Sequence, residues 1–168
     1  NVVYNAFEHT NLRLGWSRTL SRPDFREYAR YNFYDYILDA LTYGNPDLKR
    51  TQIQNYDIRF EYFPDVGELA AVSLFKKEFT DAIEEVGLNG FSPERTWANA
   101  NGTNVGVEVE VRKRLGFIGP LFEPLSINVN ATILDSKVKL DSTRLATQLQ
   151  ERPLQGQSPF ILNINLFY

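Results

Sequence analysis

Between Thr103 and Leu115 the chain alternates apolar and polar side chains with hardly a break. Thr103, Val105, Val107, Val109 and Val111 fall on one side, and Asn104, Gly106, Glu108, Glu110, Arg112 and Arg114 on the other. Successive side chains of a strand point to opposite faces, so this spacing predicts a strand with one apolar and one charged face. Its length suits a bilayer, because a spanning strand needs ~9 to 11 residues, apolar toward lipid and polar toward an aqueous lumen.

The pattern recurs in Pro124 to Leu134, Asn55 to Tyr62, Asn11 to Thr19 and Phe160 to Tyr168. Glu68 to Phe79 reads as a sixth strand with a blurrier alternation, and Asn1 to Phe7 as a seventh. No helical period of similar quality competes. The alternation assigns Val105, Val107, Val109, Leu125, Ile127, Val129, Leu162 and Ile164 to lipid, and Glu108, Glu110, Arg112, Asn128 and Asn163 to the lumen. The connections alternate too. Glu8 to Thr10 is short, Leu20 to Arg50 long, Pro64 to Gly67 short, Thr80 to Gly102 long, Gly116 to Glu123 fairly short and Asp135 to Gln157 long. Outer-membrane barrels have short periplasmic turns and longer outer loops, so the three long loops are expected on one rim and the short turns on the other. The alternative from another class is a secreted β-sandwich that binds a ligand. That fold places turns every ~8 to 12 residues without favouring one end.

Hydropathy alone points elsewhere. The mean hydropathy is -0.34 and 23% of residues are charged, so a search for membrane helices finds a soluble chain. Barrels pass that search unnoticed, because lumen residues dilute their hydropathy. Aromatic residues make up 14% of the chain, and Trp16, Tyr56, Tyr62, Phe63, Phe117, Phe122 and Tyr168 lie near strand ends, where an interfacial girdle needs them. A net charge of -3 gives no reason to expect nucleic acid as a partner. The absence of cysteine removes disulfides and thiolate metal sites.

Enzyme readings find little. Glu108 and Glu110 share a strand face at roughly 7 Å, a spacing compatible with paired carboxylates, but Arg112 and Arg114 follow on that face and a lumen-wall charge ladder explains all four. His9 is the only histidine, so this chain supplies neither a histidine-based triad nor a multi-histidine metal site, and no cofactor is expected. The first and last residues fall inside predicted strands, and about seven strands are fewer than the ~8 of the smallest closed barrel. More polypeptide is therefore expected to complete the wall.

Four strings carry a family resemblance: WSRTLSRPDFRE at Trp16 to Glu27, YGNPDLKRTQIQNYDIRFEYF at Tyr43 to Phe63, LFKKEFTDAIEE at Leu74 to Glu85, and ERPLQGQSPFILNINLFY at Glu151 to Tyr168. In this order and spacing the chain resembles the C-terminal barrel part of TonB-dependent outer-membrane receptors over essentially all of residues 1–168. The resemblance implies an all-β, antiparallel transmembrane barrel of 22 strands, of which this chain supplies about seven as part of a single barrel domain. It also implies an N-terminal plug, the inner-membrane TonB energising complex as partner, outer-membrane lipid around the wall, and a scarce nutrient such as a siderophore, cobalamin, peptide or glycan as cargo. A receptor-like barrel serving as scaffold in a larger assembly stays open, because a fold does not fix a function.

Two motifs have a physical reading of their own. Pro23 in SRPDF lacks a ladder donor, and in GNPDL Asn45 precedes Pro46 and is pushed extended, so both delimit the first long loop. Between them lies a stretch rich in tyrosine and arginine, which also has the pattern of a short helix with an apolar face. Tyr31, Tyr34 and Tyr36 there, with Arg95 and Trp97 in the second long loop, are the candidate ligand contacts, since such side chains give large contact area and directional hydrogen bonds. Packing of these aromatics within their own loops is the competing reading.

Overall fold

The computed structural model describes residues 1–5, 7–88, 93–140 and 151–168. In chain order its strands are β1 (Val2–Tyr4), β2 (Thr10–Ser21), β3 (Asn32–Asp35), β4 (Ala40–Tyr43), β5 (Thr51–Tyr62), β6 (Leu69–Gly87), β7 (Arg95–Arg114), β8 (Ser126–Lys139), β9 (Glu151–Arg152) and β10 (Phe160–Phe167). One four-residue helix, α1 (Phe25–Tyr28), interrupts the first long loop. β1, β2, β5, β6, β7, β8 and β10 pair antiparallel in that order, forming a single sheet.

The register aligns the two faces across the whole sheet. Leu14 lies opposite Ile58, Ile58 opposite Leu74, Leu74 opposite Val107, Val107 opposite Ile133, and Ile133 opposite Phe160. One residue away, Arg13 lies opposite Arg59, Arg59 opposite Ser73, Ser73 opposite Glu108, and Glu108 opposite Thr132. A one-residue slip would exchange these faces on a strand, so the apolar rows pin the register. Val105, Val107, Val109, Leu162 and Ile164 leave between 41% and 61% of their surface uncovered. A contiguous apolar face of this extent is an interaction surface, and for a curved sheet with a charged inner face that surface is lipid. Leu125 departs from the expected set, since it precedes β8 and closes a turn, its carbonyl accepting the Leu115 N–H at 2.9 Å.

The short turns gather at one end of the sheet. The Phe63 N–H donates to the His9 carbonyl at 2.8 Å, and Arg114 meets Asp65 at 2.6 Å. The described parts of the long loops gather at the other end. The strand boundaries there differ from expectation, because β6 and β7 run for 19 and 20 residues, about 65 Å at the usual strand rise. Most of the expected loop Thr80 to Gly102 is therefore paired strand. Above the lipid both faces are covered by protein or water, so ladder bonding continues without the alternation that marked the lower part. Residues 89–92 of that expected loop, 141–150 of the third, and residue 6 of the expected strand Asn1 to Phe7 lie outside the described residues.

The expected helix pattern over Tyr28 to Leu41 is also corrected. β3 and β4 form a hairpin there, and only Phe25–Tyr28 are helical. β2 stops at Ser21, just before Pro23, and the Asp24 N–H is held by the Glu27 carboxylate at 2.8 Å as the helix begins.

Candidate functional site

Two regions hold the polar side chains that the fold brings together: the inner wall and the loop-bearing rim. On the wall, Arg59 projects from β5 and donates to Glu61 at 2.9 Å, to Glu110 on β7 at 2.7 Å and to Ser73 on β6 at 3.1 Å. Arg13 on β2 meets Glu61 at 2.7 Å, and Arg112 meets Glu110 at 2.7 Å. Glu108 accepts from Asn130 on β8. Arg13, Arg59 and Arg112 thus alternate with Glu61 and Glu110 across three strands, and each glutamate touches two guanidinium groups. This is a compensated ladder that tiles the wall, with no free carboxylate pair poised for acid–base chemistry. Among the described residues no cluster has the make-up of a metal site.

Near the rim, β6 carries a bulge between Phe79 and Ala82, where Asp81 adopts φ 56°. One extra residue shifts the parity of β6, so Ala82, Glu84 and Val86 continue the inner face opposite Ala98 and Ala100. Ala82, Val86 and Ala100 pack with Val138, Leu140 and Leu154 into a small buried core. The segment 151–157 covers this face. Its Arg152 meets Glu84 at 2.8 Å, the Leu154 N–H donates to Ser136 Oγ at 3.0 Å, and the Gln155 side chain bonds Glu85. Glu84 is 2% exposed, and burial pushes its carboxyl above the ordinary glutamate range against the opposing pull of the Gln155 N–H and Arg152.

The opposite face of the same hairpin carries the first long loop. Asn99 clasps the backbone of Lys49 with bonds of 2.8 and 3.0 Å, Asn45 donates to the Trp97 carbonyl at 2.8 Å, and β4 pairs parallel with β7 at Thr42 and Tyr43. Within the loop, Gly44 lets the end of β4 pack closely on the backbone after α1, since a β-carbon there would run into the Ala29 carbonyl.

The candidate ligand residues are brought together only in part. Tyr31, Tyr34 and Tyr36 line one open cavity of about 490 Å³ with Arg26, Phe33, Asp35 and Ile37. Trp97 reaches that group through Phe33, their ring centroids 6.1 Å apart, and Tyr31 meets Phe33 in a tilted pair at 5.9 Å. Arg95 stands apart, 3.6 Å from Glu85. Arg26, 5.6 Å over the Phe33 ring, is the arginine that lines this cavity. Arg26 and Phe33 belong to the same tyrosine- and arginine-rich stretch but are not among the candidate contacts that the sequence singles out. Glu84 and Arg152 are not among them either, because nothing local marks a buried pair 68 residues apart. Tyr34 bonds Asp39 and Tyr43 bonds Glu94, and in each the hydrogen bond to the carboxylate raises the phenol above its ordinary range.

Comparison with known proteins agrees with this geometry. The family described as TonB dependent receptor-like, beta-barrel, matches residues 1–168. No curated protein matches the chain. Among solved structures, a mutant of the ferric enterobactin receptor PfeA of Pseudomonas aeruginosa in complex with enterobactin is 20% identical, with a TM-score of 0.63 over 98% of this chain and 24% of that one. The siderophore receptor PirA of the same organism is 18% identical, with a TM-score of 0.59 over 81% of this chain and 29% of that one. The FrpB iron transporter of Neisseria meningitidis is 19% identical, with a TM-score of 0.55 over 85% of this chain and 20% of that one. The chain thus spans between a fifth and a third of the length of these receptors, and at such identities they speak for the fold alone. With the family match covering every residue and an apolar outer face over a charged inner wall, this chain belongs to the β-barrel family of TonB-dependent receptors.

Proposed function

We propose that this chain forms lumen wall and outer loops of a bacterial outer-membrane importer, energised through TonB, that takes up a scarce nutrient. An iron–siderophore complex is the foremost cargo class. The observation that carries the reading is the division of one sheet into an apolar outer face and a charge-compensated inner face, with three loops interlocked at one end. Such a wall suits a wide, plugged lumen, and the aromatic cavity of Tyr31, Tyr34, Tyr36, Phe33 and Arg26 suits a flat, anionic or aromatic chelate. The named neighbours, a siderophore receptor, a ferric enterobactin receptor and an iron transporter, support the cargo class by analogy. The remaining strands, a plug and the TonB complex complete the machine in this reading.

An alanine series at Tyr31, Tyr34, Tyr36, Arg95 and Trp97 in the intact receptor tests it, with binding of ferric siderophores and yield of assembled barrel measured side by side. A true anchor weakens binding about thirtyfold while assembly is unchanged. Loop packing alone predicts the reverse: assembly falls and affinity holds. Unchanged affinity in all five variants overturns the site, and a receptor-deleted cell whose ferric-siderophore uptake is unaltered overturns the cargo class.

A further inference from the structure

The turn between β7 and β8 is built unlike the other short connections. Its sequence, LGFIGPLFEPL over Leu115 to Leu125, is mostly apolar and winds into two successive 3-10 turns, Gly116–Ile118 and Pro120–Phe122. Phe117 is 73% exposed, Leu121 83% and Ile118 55%, so three large apolar side chains project where a periplasmic turn would ordinarily be polar. Their direction follows from Lys113. Lys113 shares the face of Val111 and Val109 and lies opposite Ile127, which places it on the lipid side of the wall, and its ammonium sits 5.8 Å over the Phe117 ring while bonding Glu68 at 2.6 Å. The turn therefore leans toward the outer face, continuous with the belt that ends at Val111, Ile127 and Leu166.

Its backbone suits the edge of the bilayer. The N–H groups of Leu115, Ile118, Gly119, Phe122, Glu123 and Leu125 all donate to carbonyls within the turn, and Pro120 and Pro124 have no N–H to satisfy. A backbone mostly bonded within the turn, the N–H groups of Gly116, Phe117 and Leu121 excepted, with bulky apolar side chains outside, has the make-up of a segment that enters the boundary between headgroups and acyl chains, where headgroup oxygens and water reach the remaining donors.

We propose that Leu115 to Leu125 is a membrane wedge, in which Phe117, Ile118 and Leu121 enter the phospholipid leaflet on the short-turn side and hold the base of the β7–β8 hairpin at a fixed depth. Lys113 marks the headgroup level. The inference rests on the reading of the outer face as lipid-facing, and the experiment separates the two.

Single cysteines at Leu121, at Phe117, at Val107 in the belt and at Glu108 on the inner wall, each in the full receptor freed of other cysteines, are spin-labelled and reconstituted in phosphatidylethanolamine–phosphatidylglycerol vesicles. Collision with oxygen, which concentrates in the bilayer, is compared with collision with a water-soluble nickel chelate. The expected result is an oxygen-to-nickel ratio at Leu121 and Phe117 several-fold above that at Glu108 and approaching that at Val107. Nickel-favoured labels at Leu121 and Phe117 beside an oxygen-favoured Val107 overturn the wedge and leave the barrel face standing. A nickel-favoured Val107 overturns the lipid-facing reading and the wedge with it. Leu121→Ser and Phe117→Ser give a second readout, a loss of vesicle-bound refolding yield that full insertion in detergent does not share.

Discussion

β6 and β7 pass through two environments, and their side chains obey different rules in each. From Val107 to Val111 every second residue is valine and faces outward, while the intervening Glu108 and Glu110 are bonded inward. From Arg95 to Asn101 the same strand carries Trp97 and Asn99 on one face and Ala98 and Ala100 on the other, and both faces are covered by protein. In the belt the solvent outside is lipid and only apolar side chains are tolerated there, so a two-residue period is imposed. At the rim no such solvent exists, and the pattern is set by which loop lies on which face. The difference teaches that alternation in this chain reports the membrane, whereas strand length reports backbone pairing.

The largest expected effect breaks the belt. Arginine at Val107 should destabilise the inserted receptor by ~2 to 4 kcal/mol near the midplane, and arginine at Glu108 by much less. Equilibrium unfolding in lipid ranks the pair, and the reverse ranking would sink the assignment of faces. Next comes the ladder. Arg59→Ala leaves Glu61 and Glu110 with one guanidinium partner each, and the expected cost is about 3 kcal/mol, discounted from the upper range for buried pairs because Arg59 is partly exposed. Arg59→Lys should recover only part of this, since an ammonium cannot hold both carboxylates and Ser73 in one plane.

The rim should respond more weakly and more locally. Glu84→Ala is expected to cost about 1 to 3 kcal/mol in docking of segment 151–157, read as faster amide exchange there with little change in the belt. Loss of belt protection in this variant would show that the two regions are one cooperative unit. Burial raises Glu84 above its undocked value, so the docked state holds its proton more tightly. Docking should therefore strengthen as pH falls through the window between the ordinary and the raised value, and weaken as pH rises through it. Glu84→Gln should keep the segment docked and flatten that dependence, which distance measurements between labels on residues 84 and 154 neighbours would follow. The smallest effect is expected at the outward pair of Lys76 and Glu78, 2.6 Å apart and open to solvent on the rim side of the belt. Lys76→Gln should leave stability within measurement error in high salt.

How much of this was legible in sequence follows the same division. The seven wall strands, their faces and the placement of short turns and long loops were readable from Leu12 to Phe60 to Val109, because lipid and lumen demand opposite chemistry at adjacent positions. The upper halves of β6 and β7 were not, because the bulge at Asp81 shifts parity by one residue and no residue type announces it. The tyrosines of the first long loop were found by composition, yet the meeting of Phe33 with Trp97 depends on that loop docking against β7, a contact that local sequence does not encode. The placement of Arg95 beside Glu85 was not legible either, because the two meet across strand pairing within the expected loop Thr80 to Gly102.

That docking of β4 on β7 sets an order of events during assembly. The Thr96 hydroxyl bonds the Tyr43 carbonyl across 53 residues, whereas β5 and β6 meet through a turn of a few residues. Closing the longer loop before β7 exists is impossible, and closing it afterwards costs chain entropy that only a finished hairpin edge repays. The β3–β4 hairpin must therefore wait, unanchored, on the far side of the membrane until β7 has crossed. A receptor stalled before β7 inserts will therefore present wall strands whose first long loop is not yet fastened to the rim.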